Sequence, residues 1–179
     1  MSVDYLKKYM SEQGFDFSRL LNDDFVQPIR LLYNHRHYVS AAKLLMTFID
    51  SVGFLEFGDT GENTFVKWLE TYADFKAVGV TPEELWEHRN SLLHMSNLDS
   101  RRVLAGKVKR LMFYVGPLPS GIPVESKDTK YYNLFVLMKT MAAACGRWAE
   151  SFNRNRGKSK QFLDRYDLIV SDERLFNID

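Results

Sequence analysis

At 179 residues, 45% of them hydrophobic and 26% charged, the chain has the length of one domain and the composition of a soluble globular protein. Its single cysteine, Cys145, excludes an internal disulfide and a cysteine-based zinc site, and suits a reducing compartment. No apolar run approaches the ~20 residues of a membrane span and the first residues lack a signal-peptide pattern, so a cytoplasmic protein without membrane attachment is expected.

The net charge of +1 hides an asymmetry. Residues 1–100 carry 9 Lys/Arg against 15 Asp/Glu, whereas residues 101–179 carry 15 against 8. Arg101, Arg102, Lys107, Lys109 and Arg110 form one basic run without an acid, and Arg154, Arg156, Lys158 and Lys160 form another. Runs of this kind either bind phosphates or face solvent.

Taken in order, the chain reads as all-α, a single domain over residues 1–179. Val3 to Gln13 is a short amphipathic segment ending at Gly14, within an N-terminal extension over 1–23. Asp24 is placed to cap a helix that has Pro28 in its first turn and runs to about Asn34. Tyr38, Ala41, Ala42, Leu45, Phe48, Ile49 and Val52 form one stripe of a third helix, which Gly53 is placed to stop. A fourth is expected over Glu62 to Val78, with Phe65, Trp68, Leu69, Tyr72 and Phe75 inward and Gly79 closing it. Val108 to Val115 fits either a short strand or a helix end. Three prolines in Gly116–Pro123 mark a loop, and 116–130 reads as the connection to the next helix. Tyr131, Leu134, Met138, Met141, Cys145, Trp148 and Phe152 then alternate steps of three and four, the pattern of a buried bundle helix or pairing seam. Cys145 on that stripe reads as a core thiol. A last helix is expected over Ser159 to Val170.

The stretch that carries chemistry is Thr81 to Asn97, TPEELWEHRNSLLHMSN. Thr81 is a helix cap, Pro82 suits the first helical position, and Glu83 and Glu84 favour the positive end of the helix dipole. Leu85, Trp86, Leu92 and Leu93 repeat at helical spacing with Arg89 in the middle of their stripe. A guanidinium cannot lose its charge, so burial there demands a partner. Asp50, inside the apolar run LLMTFIDSV, is the candidate counter-charge or a local hydrogen-bonding residue. His94 follows five residues after Arg89. The bland reading is a structural arginine with a helix-terminal histidine. Walker-type and dinucleotide-binding glycine loops and the His-Glu-x-x-His zinc helix are absent from the sequence, and no metal or cofactor is expected. His35 and His37, two apart, point to different sides of a helix and make a poor metal pair.

Arg89-Asn90-Ser91-Leu92-Leu93-His94 resembles the signature of the HEPN superfamily: an Arg, often followed by a polar residue, and a His a short spacer later. The resemblance implies an HEPN-like up-and-down bundle of four to five main helices covering roughly Asp24 to Phe152, to which the ambiguous residues 108–115 would add one short β segment if they form a strand. The Tyr38–Val52 helix with its internal Asp50 resembles the acid-bearing helix of many members. What the resemblance implies is a metal-independent endoribonuclease with His94 as acid/base, Arg89 as phosphate clamp, Asn90 as positioning residue and Asp50 as supporting acid. It further implies a homodimer whose two motif helices share a groove, with Trp86, Leu93 and Met95–Asn97 as candidate interface, and a toxin or phage-defence role. Both basic runs would hold flanking RNA. An antitoxin or nucleotidyltransferase-like partner fits the same family, as does a non-catalytic module that binds a protein or nucleotide. Arg30 and His35 also have the Arg-x4-His spacing, but Leu31 rather than a polar residue follows Arg30. In a regular helix, positions five apart differ by about 140°, so Arg89 and His94 converge only through reach, a distorted last turn or a dimer.

Overall fold

The computed structural model describes residues 5–12, 14–95, 100–155 and 157–170, and for residues 5, 6, 94, 95, 169 and 170 the backbone alone. It is mainly helical, with two small β pairs.

A 3-10 turn, Tyr5–Tyr9, leads into a short antiparallel pair, β1 (Met10–Ser11) and β2 (Gly14–Phe15). Asp16 then caps α1 (Phe17–Leu21), its Oδ1 accepting from the Arg19 N–H at 2.9 Å. The backbone continues through a π-helical stretch, Asn22–Val26, into α2 (Gln27–Asn34). Pro28 lacks an N–H and its ring crowds the carbonyl four residues earlier, and the wider π turn carries the chain past that gap. Two expectations are corrected here. Asp24 is not a cap, because the helix starts earlier and its carboxylate instead accepts from the Tyr9 and Tyr166 hydroxyls. Nor do residues 7–12 and 14–23 stand apart as an extension, because Tyr9, Leu20 and Leu21 are buried in the core.

Helix α3 (Tyr38–Phe57) runs through Gly53 and stops at Gly58, whose φ of +72° suits glycine. Gly53 serves close approach instead of termination: a Cβ there would lie 2.7 Å from the Thr64 carbonyl oxygen, where α4 (Thr64–Tyr72) begins. The fourth helix is shorter than expected. It ends at Tyr72 because Ala73 is extended, and Phe75 and Val78 pack from a loop. By length and composition α3, with mean hydropathy 1.3, could cross a membrane; half of its most apolar stretch is buried inside the protein, as in a core helix.

Helix α5 (Pro82–Asn90) passes into a second π-helical stretch, Ser91–Met95. A short α6 (Arg101–Leu104) precedes β3 (Arg110–Tyr114), which pairs in parallel with β4 (Thr129–Asn133), Leu111 opposite Lys130 and Phe113 opposite Tyr132. The ambiguous 108–115 segment is thus a strand, and Tyr131 lies in its partner instead of opening the long helix. Parallel strands need a long crossover, and the proline-rich loop supplies it, so the connection ends before Thr129. Asn133 starts α7 (Leu134–Arg154) by accepting from the N–H groups of Phe135 and Val136. Helix α8 (Gly157–Val170) closes the structure. Trp68, Trp148, Phe65, Phe162 and Ile49 are essentially inaccessible and join α3, α4, α7 and α8 in one core.

Candidate active site

The start of α5 is held at both ends of a reciprocal cap. Thr81 Oγ1 accepts from the Glu84 N–H at 3.2 Å, and Glu84 Oε2 accepts from the Thr81 N–H at 2.8 Å. Lys130 on β4 donates to both Glu84 oxygens, at 3.1 and 2.9 Å, which ties this cap to the parallel pair. With the start anchored, Leu85 points into the core and Arg89, one turn later, lies on the same side.

There Arg89 meets α3. Its Nε donates to Asp50 Oδ2 at 2.6 Å, its Nη2 lies 2.5 Å from the same oxygen, and its Nη1 donates to Asn90 Oδ1 at 3.0 Å. The guanidinium carbon stands 4.9 Å from the centre of the Trp86 ring, which itself packs on Phe65. Only 18% of the Arg89 side chain and 26% of Asp50 remain exposed. The cation is therefore oriented by a carboxylate, an amide and an indole face, a held cation of the kind that binds phosphate oxygens. Its exposed fraction is where an anion would approach.

Beyond Asn90 the helix widens. Ser91 is buried, and its Oγ donates to the Glu87 carbonyl at 3.0 Å, the back-bond to i−4 that competes with the helical ladder and bends helices. The Ser91 N–H is shared between the Glu87 and His88 carbonyls. From here Ser91–Met95 is π-helical. A turn closed by i→i+5 bonds brings backbone positions five apart closer to one side of the helix than the 140° of a regular α-helix allows. The anticipated distortion of the last turn is thus present in the backbone between Arg89 and position 94. The side chain of His94 lies outside the described residues, as do Ser96 and Asn97 and the side chain of Met95. Trp86 and Leu93, the other two interface candidates, are half-buried against the core.

The basic runs are reassigned in part. Arg102 Nη1 donates to Glu87 Oε1 at 3.1 Å, and Ser100 Oγ donates to Glu87 Oε2 at 3.0 Å. Glu87, 6% exposed, thus fastens the start of α6 to α5. Lys109 Nζ donates to Glu125 Oε1 and to the Ser126 carbonyl, both at 2.7 Å, and this contact lowers the pKa of exposed Glu125. Lys107, Lys109 and Arg110 line a groove with Lys127 and Asp128, while Arg101 stands exposed on α6. Lys158 is withdrawn from any RNA surface. Its Nζ lies 2.6 Å from Glu56 Oε1 and only 18% of its side chain is exposed. Arg154 and Lys160 are exposed at the junction of α7 and α8, and Arg156 lies outside the described residues. The two runs meet their acids only in three dimensions, the first at Glu87 and Glu125 and the second at Glu56.

Two features had no signal in the pattern. His88 is 3% exposed, and among the described residues its ring nitrogens make no hydrogen bond of good geometry; burial, opposed only by a weak interaction with the Leu111 backbone, lowers its pKa to about 4. Its ring stands edge-on to Tyr132, whose buried hydroxyl likewise has no hydrogen-bond partner among the described residues and whose pKa burial raises. In the other Arg-x4-His match, Arg30 lies exposed on α2 and His35 is the exposed residue ending that helix, as its expected position at a helix break requires. Compared with protein families, with curated proteins and with solved structures, the chain matches none of them.

Proposed function

We propose that the chain is a metal-independent endoribonuclease with an HEPN-like helical bundle, acting in the cytoplasm as a homodimer in a toxin or phage-defence setting. One observation supports this reading above the rest: Arg89 is held by Asp50 and Asn90 directly before a π-helical turn that carries position 94. The packing of α3 against α4, α4 against α5 and α4 against α7 is compatible with that bundle.

The chemistry follows from the residue types. RNA supplies its own nucleophile, the 2′-hydroxyl. Neutral imidazole at His94 takes its proton as the 2′-oxygen attacks phosphorus, and an imidazolium, here that of the second His94 of the dimer, protonates the departing 5′-oxygen. The bond from phosphorus to the 5′-oxygen breaks, leaving a 2′,3′-cyclic phosphate and a 5′-hydroxyl. Arg89 neutralises the non-bridging oxygens, and Asn90 keeps its guanidinium in plane. Lys107, Lys127 and Arg101 are suited to phosphates further along the strand.

Arg89's two contacts with Asp50 favour a second reading, in which the arginine is structural and the domain binds a partner without cleaving RNA. The test is incubation of the full chain with single-stranded RNA in EDTA. The expected outcome is cleavage to cyclic-phosphate ends, with His94→Ala slower by about 10²–10⁴-fold at an unchanged melting midpoint. Intact RNA across a range of salt concentrations would establish the second reading. An equal loss in His35→Ala would move the site to α2.

A further inference from the structure

On the side of the protein formed by α2, α3 and α7 lies an apolar cavity of about 220 Å³. Its wall is almost entirely carbon, with Ile29, Leu45 and Phe48 facing Met138 and Met141, and Cys145 adding a thiol that burial keeps protonated by raising its pKa to about 12. The exceptions are two cations, Arg30 from α2 and Lys139 from α7, both in the lining and both exposed. Among the described residues neither forms an ion pair; Lys139 lies 5.8 Å from the centre of the Phe135 ring, itself 48% exposed.

This combination selects a ligand class. The volume falls below the roughly 300–1,000 Å³ of ordinary ligand pockets, so it suits a slender chain better than a ring system. A wall without donors or acceptors gives water too few partners and leaves a polar ligand unoriented. The same wall rewards hydrocarbon, about fourfold in affinity for each methylene buried. Met138 and Met141 are unbranched and adapt to a flexible chain. Two unneutralised cations on neighbouring helices complete the complementarity, one apolar tail below and one anionic head above. We propose that this cavity is a binding site for a free medium-chain carboxylate, the alkyl tail among Ile29, Leu45, Phe48 and Met141 and the carboxylate between Arg30 and Lys139. The site stands apart from Arg89 and is independent of the ribonuclease reading.

Calorimetric titration of the full chain with hexanoate, octanoate and decanoate tests it. Affinity is expected to rise about fourfold per methylene. Cys145 is the chain's one thiol; because burial keeps it protonated, N-ethylmaleimide alkylates it slowly, and this rate, followed at pH 9 by mass spectrometry, should fall further as decanoate fills the cavity. Arg30→Gln and Lys139→Gln alter exposed residues, and each should weaken decanoate about tenfold while leaving decanol unchanged. Ala142→Phe, also at an exposed lining position, should abolish both binding and thiol protection without lowering the melting midpoint. The proposal is overturned by absence of heat and of protection at millimolar decanoate, or by decylammonium binding as tightly as decanoate. It is equally overturned by a self-associated chain whose interface covers the cavity, or by binding seen only on vesicles of anionic phospholipid.

Discussion

Two acids on α3, six residues apart, each meet a cation from a distant part of the chain, and they do different things with it. Glu56 is enclosed: Oε1 takes the Tyr72 hydroxyl at 2.8 Å and Lys158 Nζ at 2.6 Å, and Oε2 takes the Trp148 indole N–H at 2.8 Å. Lys158 donates in addition to Tyr72 Oη and Ser151 Oγ, at 3.2 and 2.7 Å, and lies near the faces of Tyr72 and Phe152. All three of its protons are used within the protein. Asp50, 26% exposed against 10% for Glu56, meets the planar guanidinium of Arg89 on a helix that changes pitch two residues later. A compact ammonium enclosed by five groups is a fastener for α7 and α8. A fork held by Asp50 at Nε and Nη2 and by Asn90 at Nη1 is oriented beside a carboxylate that stays partly open to solvent. The lesson is that two cations buried to the same degree, each with 18% of its side chain exposed, leave their acids in different surroundings, Glu56 enclosed and Asp50 partly open.

The first way to break this contrast is also the largest. Lys158→Met should destabilise the protein by roughly 3–5 kcal/mol, because it strands the Glu56 carboxylate among Trp148 and Tyr72. Measured by urea unfolding at neutral pH, it should leave RNA cleavage per folded molecule unchanged. A loss of under 1 kcal/mol would mean that the Glu56 cluster is not the fastener described.

His88 takes the contrast to its limit, as a buried ring that meets no acid and makes no hydrogen bond of good geometry among the described residues. Its pKa is lowered from 6.5 to about 4, so between those values the unfolded chain binds the proton and the folded protein does not. Stability from this source is complete above pH 6.5 and lost as pH falls towards 4, to the extent of about 3 kcal/mol. Unfolding midpoints followed across this window should decline in the parent chain and decline much less in His88→Leu. Parallel curves for the two would place the acid sensitivity elsewhere.

The smallest effect sharpens the comparison at its other end. Arg89→Leu and Asp50→Leu should each destabilise, and the double substitution should recover about 1–3 kcal/mol of the summed loss. Strict additivity would dissolve the pairing. Arg89→Lys retains the charge but loses the planar fork, so it should preserve most of the stability while lowering RNA cleavage.

Much of α5 was legible because its signals are local. Thr81, Pro82 and Glu84 specify a helix start through contacts within four residues, and the need of Arg89 for an acid follows from a charge on an apolar stripe. Asp50 could be named as that acid because it interrupts an otherwise apolar helix. Lys158 was misread for the converse reason. It sits among Arg154, Arg156 and Lys160, and nothing near it in sequence announces Glu56, 102 residues away. Gly53 was misread as a stop because a glycine's local meaning is helix termination, whereas here the deciding neighbour is the Thr64 carbonyl.

The sequence by itself determined the mainly helical class, the cap of α5, the helical stripes of α3 and α7 and the chemical character of the Arg89 segment. These depend on periodicity, backbone preference and fixed charge, which act over one or two turns. Tertiary structure alone decided that β3 pairs in parallel with β4, that α4 stops at Tyr72, that Ser91 opens the helix into a π turn, and which cations remain at the surface. Those outcomes depend on which carbonyl, carboxylate or ring arrives from elsewhere in the chain, and its arrival is a property of the packed core.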